Sequence, residues 1–287
     1  MIASVSSYSY SQYIRAGKMT QFDCLKKAKE MGFEAIEFIE IDGAGLDEQK
    51  KNAEKLRAES EAIELPIAAY TIGASLYKET KEERDAEVAR LKNEVDIAEL
   101  LGAKVMRHDV TYSLTKTFPG RSFDGQLPYI AEGARAVTEY AAAKGIRTCT
   151  ENHGHIAQDS DRVERLVNAV CHDNYGLLVD VGNFICVDEN PITAVSRVAP
   201  YAFHVHVKDF RIRSTPDAVC KGQTRGCNYF VGLPVGEGNV PVKQCLAILK
   251  KAGYDGVVSI EYEGVEDCIA GIARGKANLD RYIAELA

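Results

Sequence analysis

The chain has 287 residues, 46% of them hydrophobic and 27% charged, with no Trp, 23 Gly, 8 Pro and 8 Cys. This is the make-up of an ordinary folded protein and excludes a disordered, collagenous or coiled-coil chain. Lys and Arg number 35 against 42 Asp and Glu, a net charge of −7 with no strongly basic block, so nucleic acid is not an expected partner. The opening stretch MIASVSSYSYSQYIRAGK has no charged start followed by an apolar segment, and nothing approaches the roughly 20 apolar residues that a bilayer demands. No cysteine pair has CxxC spacing. The expectation is therefore a cytoplasmic protein with reduced thiols and no membrane partner.

Along the chain, short apolar runs alternate with amphipathic stretches. Strands are predicted at 2–7, 35–41, 66–72, 104–110, 147–153, 175–181, 202–208 and 256–262. Most of these are near-continuously apolar, as suits strands covered on both faces of a parallel sheet. The first helix, 20–31, sets Phe22, Leu25, Ala28 and Met31 on one face and ends at Gly32. A charged, exposed helix follows at 47–62. The long helix at 79–101 carries Val88, Leu91, Val95, Ala98 and Leu101 in one stripe and stops at Gly102, the residue type that most easily takes the left-handed turn after a helix. Further helices are expected at 128–144, 159–171, 191–198, 241–252 and 265–286.

Eight strands alternating with eight helices, without a linker or a composition shift, predict one (β/α)8 TIM barrel domain spanning 1–287. The rival, an open doubly wound sheet, would carry a glycine-rich first turn. Neither GxGxxG nor GxxxxGK[ST] occurs. The connection after the seventh strand, about 209–240, is long for a compact domain. It is a candidate lid, with Arg211 and Arg213 placed to meet a hydroxylated or anionic ligand.

In such a barrel, chemistry belongs at the C-terminal ends of the strands. Strand 4 ends VMRHDV, strand 5 CTENHGH, strand 6 LLVDVGN, strand 7 FHVHVKD and strand 8 SIEYEG. Burying unpaired ionisable groups is costly, so a bound cation or a polar substrate is expected among them. The cleanest placements are Glu151, Asp180, His206 and Glu261. Three carboxylates and one imidazole suit Mn2+, Mg2+ or Co2+ better than a structural zinc. Lys208 shares the face of His206 and is a candidate contact to a substrate oxygen or to a carboxylate. His108 at the strand 4 rim and His153, two residues beyond Glu151, are candidate substrate contacts.

The segments ENHG, DVGNF, HVHVKDF, GEGNVP and SIEYEG, in this order, together with KAKEMGFEAIEF and LLGAKVMRHDV, resemble the xylose isomerase-like TIM barrel superfamily in its sugar phosphate isomerase/epimerase branch. The resemblance covers essentially the whole chain. It implies one divalent ion, Mn2+ first and Mg2+ or Co2+ next, held by Glu151, Asp180, His206 and Glu261, with Glu151 and Glu261 also moving the substrate proton. The leading reading is thus a sugar isomerase or epimerase that removes a proton beside a carbonyl through an enediolate. The lyase alternatives are an inosose or keto-sugar dehydratase and a C-glycoside deglycosidase subunit acting on 3-oxo-glycosides, the latter with a small partner subunit. The non-enzymatic alternative is a barrel that binds a sugar derivative. A homo-oligomer stays open. Ketose 3-epimerases carry a substrate-contacting His three residues after the metal Asp; here that position is Asn183, which keeps hydrogen bonding but no base. Their Arg after the metal His has only Arg211 and Arg213 nearby, neither in register. The DNA-repair branch, endonuclease IV, needs more histidines than this chain supplies.

Overall fold

The computed structural model describes all 287 residues. Its strands are β1 (Ile2–Ser6), β2 (Ala35–Ile39), β3 (Ile67–Ile72), β4 (Val105–His108), β5 (Arg147–Glu151), β6 (Tyr175–Asp180), β7 (Ala202–Val207), β8 (Asp209–Arg213), β9 (Gly222–Gln223), β10 (Tyr229–Leu233) and β11 (Val257–Ile260). Its α-helices are α1 (Ser11–Arg15), α2 (Gln21–Glu30), α3 (Leu46–Ala62), α4 (Lys81–Leu101), α5 (Phe123–Ala142), α6 (Ser160–Val170), α7 (Pro191–Val198), α8 (Val242–Lys251) and α9 (Cys268–Leu286). Eight strands close a parallel barrel in the order β1-β11-β7-β6-β5-β4-β3-β2, so the predicted (β/α)8 TIM barrel is the fold. No helix is long and apolar enough to cross a membrane.

The helices begin where capping chemistry allows. Thr20 and Thr80 each form a capping box, with Asp23 and Glu83 returning the bond. Gly102 ends α4 at φ 78°. Helix α5 starts earlier than the 128 predicted, because the Ser122 side chain accepts from Gly125 N and caps it. Pro128 then sits inside the helix rather than at its start.

Most of the apolar core lies between barrel and helices. Inside the barrel a second, small cluster of Ala69, Val105, Cys149 and Leu178 forms an apolar floor. Alternate residues of a strand share a face. Two positions further along the same strands stand Thr71, Arg107, Glu151 and Asp180, one layer above that floor. The register sets Asp180 directly across from His206, and His206 across from Ser259. Period two thus delivers polar side chains to the C-terminal mouth of the barrel.

The stretch after β7 is not the long open loop predicted. It folds into an antiparallel sheet of order β8-β10-β9. Phe210 and Phe230 pack with ring centroids 5.1 Å apart. The buried Asp209 carboxylate accepts four backbone N–H bonds, from Phe210, Gly236, Gly238 and Val240, at 2.8–3.0 Å. A side chain at position 238 would stand 2.2 Å from Asp209 Oδ1, so glycine is required there. The GEGNVP segment is thereby a cradle for Asp209. The far end is tied to the barrel by Arg225 to Asp159 at 2.9 Å and by Thr224 and Asn228 to Asp188.

Candidate metal site and catalytic cavity

Glu151 at the end of β5, Asp180 at the end of β6, His206 in β7 and Glu261 just past β11 each offer an atom to one cluster, all within 4.8 Å of one another. His206 Nδ1 lies 3.8 Å from Glu151 Oε1, 3.9 Å from Asp180 Oδ2 and 3.8 Å from Glu261 Oε1. Ligands about 2.1 Å from one octahedral ion stand between about 3.0 and 4.2 Å apart, and the observed separations fall in that range. The surroundings fit a cation in a second way. His206 Nδ1 is buried without a hydrogen-bond partner, while Asp180 Oδ2 has only the Lys208 ammonium beside it. Buried polar atoms are rarely left in that state.

The local structure aims these atoms. Asp180 Oδ1 accepts from Gly182 N at 2.8 Å and Asn183 N at 2.9 Å, which leaves Oδ2 facing the cluster. Asn152 clamps the Asp180 backbone on both its N–H and C=O. Glu151 Oε1 accepts from Asn183 Nδ2 at 2.8 Å, and Glu151 Oε2 accepts from Arg107. On the other side of His206, Nε2 lies 2.7 Å from Glu37 Oε1, close but off the N–H axis. Lys208 Nζ lies 2.9 Å from Asp180 Oδ2 and 3.0 Å from Glu263 Oε1, and also meets Glu261.

Crowding of charge sets the ionisation. Burial, helped by the neighbouring Glu151 and Glu261 and only partly offset by Lys208, pushes the Asp180 carboxyl up to about 7. For Glu151, burial disfavours the charge, but Arg107 and His206 outweigh it and hold the carboxyl well below its ordinary range. His206 is likewise penalised by burial yet carried well upward by Glu37 and Glu261. Lys208 is raised by Asp180, Glu261 and Glu263 against the same penalty.

A cavity of about 280 Å³ opens over the cluster, lined mostly by polar groups that include Arg107, Asp109, Glu151, His153, Glu261 and Glu263. Tyr8 and Tyr112 supply aromatic wall. Such a lining suits a small polyhydroxylated molecule rather than an apolar one. His153 Nδ1 lies 3.2 Å from Asp109 Oδ1, and Tyr112 Oη donates to Asp109 Oδ2 at 2.6 Å. Burial would lower the His153 imidazole, but Asp109 and Glu151 carry it above its ordinary value.

Of the residues predicted to contact substrate, the structure puts only His153 on the cavity wall. His108 follows the inward-facing Arg107, so strand alternation turns it outward. It is wholly buried, with Nδ1 2.9 Å from Asp109 O and its ring against Tyr175. Asn183 is buried behind Glu151 and works through it. Lys208 is buried among Asp180, Glu261 and Glu263 rather than lining the cavity. Arg211 is exposed on the small sheet, and Arg213, also exposed, pairs with Asp217.

Sequence reasoning passed over Arg107, Asp109, Glu37, Tyr112 and Glu263. The signal for Arg107 was present: it has the same phase on its strand as Glu151 has on β5. Glu37 was also visible, as a lone carboxylate in the apolar run AIEFI.

The comparisons with known proteins agree with this fold. A profile of the family described as xylose isomerase-like TIM barrel matches residues 25–283. An inosose dehydratase of Clostridium botulinum (strain Alaska E43 / Type E3) is 24% identical over 228 residues, covering 74% of each chain. Among solved structures, the IOLI protein with a binding zinc atom superposes with a TM-score of 0.78 at 15% identity, covering 100% of this chain and 99% of that one. The probable 3-DHS dehydratase AsbF of Bacillus anthracis, involved in petrobactin synthesis, gives a TM-score of 0.74 at 16% identity, covering 98% and 100%. The chain belongs to the xylose isomerase-like TIM barrel family.

Proposed function

We propose that this protein is a divalent-metal-dependent dehydratase that removes water from a small polyhydroxylated ketone of the inosose class. The inosose dehydratase and the probable 3-DHS dehydratase favour this over the isomerase or epimerase reading, which has support at the level of the family alone. Glu151, Asp180, His206 and Glu261 would hold the ion. Mn2+ is the first candidate on donor hardness, and the zinc of the IOLI protein is the alternative. When bound, a divalent ion supplies Lewis-acid polarisation of the substrate carbonyl and so acidifies the neighbouring C–H.

The observation that carries the reading is the unlike state of the proton-handling groups. Epimerisation through two carboxylates needs both to take and return a proton. Both Glu151 oxygens are instead engaged, one by Asn183 and one by Arg107, and its carboxyl is held well below its usual range. Glu151 is thus a weak base. Glu261 reaches the cavity with one oxygen, Oε2, paired to Lys208 and with no amide or guanidinium bonded to its carboxylate, and it is the proposed acceptor of the α-proton. His153, whose imidazolium form Asp109 favours, faces the same cavity and is the proposed proton donor.

Elimination then balances. Glu261 takes the proton from the carbon beside the carbonyl, and the electron pair of that C–H bond becomes the new C=C. The bond to the β-hydroxyl breaks, and its oxygen leaves as water with the His153 proton. Arg107 keeps Glu151 charged and in place throughout.

The test is incubation of the Mn2+-loaded protein with an inosose, followed by mass spectrometry and NMR. A product one water lighter is expected. Epimer formation, or exchange of the α-proton with solvent without water loss, would overturn the dehydratase reading.

A further inference from the structure

Glu37 lies in the middle of β2, wholly buried inside the barrel. Its carboxylate is shared by two imidazoles. Oε2 is 2.6 Å from His204 Nε2, and Oε1 is 2.7 Å from His206 Nε2. His204 Nε2 is also 3.3 Å from Ser259 Oγ. Distance decides what this trio is. Atoms bound to one ion at about 2.1 Å stand about 3 Å or more apart. The 2.6 Å contact to His204 is a hydrogen bond and the 2.7 Å contact to His206 is a close ion pair lying off the N–H axis, both too short for two ligands of one ion. The trio is therefore not a second cation site, although it contains three groups of ligand type.

We infer that Glu37 is the positioning residue for the metal site, fixing which nitrogen His206 presents to the ion. This rests on the metal reading given under Proposed function. A neutral imidazole carries one N–H, on either ring nitrogen. A carboxylate at Nε2 keeps the proton there and leaves the Nδ1 lone pair facing Glu151, Asp180 and Glu261. It also makes Nδ1 a stronger donor. His204 holds the second oxygen, so Glu37 cannot swing away from His206. Glutamine at position 37 has a single accepting oxygen and an NH2 group. It can serve one imidazole as acceptor but turns a donor toward the other.

Calorimetric titration with Mn2+ at fixed pH tests this. Wild-type protein should bind one ion. Glu37→Gln should bind it about 10- to 100-fold more weakly while keeping the wild-type circular dichroism spectrum. Equal affinity in the two proteins overturns the inference and leaves the metal site standing. A wild type that binds no divalent ion overturns the metal reading itself. Should Glu37→Gln fail to fold, the wild type still decides. In the Zn2+-loaded protein, 1H–15N correlation of the His206 ring should show a proton on Nε2 and the ion on Nδ1. Coordination through Nε2 would sink the proposal.

Discussion

His153 Nδ1 lies 3.2 Å from Asp109 Oδ1, which links the segments leaving β5 and β4 across the cavity. Asp109 and Glu151 carry His153 above its ordinary pKa and so favour the imidazolium. As the proposed proton donor, His153 is active when protonated, and turnover should fall as pH rises through its raised value. Asp109→Asn removes the charge that raises it, so the alkaline limb of the pH–rate profile should move to lower pH. His153→Gln should lower kcat by about 10²- to 10⁴-fold with KM little changed. A pH profile of kcat on the three proteins checks both statements, and an unmoved alkaline limb in Asp109→Asn would remove His153 from the proposed role.

Asp180 concerns metal loading. Burial and its acidic neighbours push it up to about 7 in the metal-free chain. Its folded value thus stands above the unfolded one, and between the two the folded state binds more protons. The metal-free protein should lose stability as pH rises through that window. A cation needs the carboxylate, so binding must displace the proton. Adding Mn2+ at pH 6 should release protons from both Asp180 and His206, and at pH 8 from His206 alone, so that release is greater at pH 6 than at pH 8. Proton release in weakly buffered solution measures this directly. Equal release at both pH values would contradict it.

Asp209 bears on the extension rather than on chemistry. Each of its carboxylate oxygens accepts two backbone N–H bonds. Asp209→Ala leaves those donors without their acceptor and should cost about 3 kcal/mol. Asp209→Asn keeps one accepting oxygen and should cost roughly half as much. Urea unfolding of the two variants reports the order. Faster hydrogen exchange should be concentrated in β8, β10 and residues 234–240.

How much of this was legible in the sequence follows from what each signal depends on. The barrel was readable because apolar runs and helical stripes are local patterns, repeated eight times. The cluster of Glu151, Asp180, His206 and Glu261 was readable because each lies at or near a strand end, where a period of two fixes its face. The same rule, applied to β4, favours Arg107 over His108 for the inner face. Glu37 stands out in the sequence as a lone carboxylate in an apolar strand, but its role does not. Its meaning comes from His204 and His206, 167 and 169 residues away, and only barrel closure brings them together. Arg211 and Arg213 lie in the stretch read as an open loop, which folds instead into a strand paired with β10.

The most direct measurement is anomalous diffraction from a crystal soaked in Mn2+. A single peak is expected within bonding distance of Glu151, Asp180 and Glu261 oxygens and of His206 Nδ1. A peak elsewhere, or none at this mouth, would leave the proposed elimination without its cation.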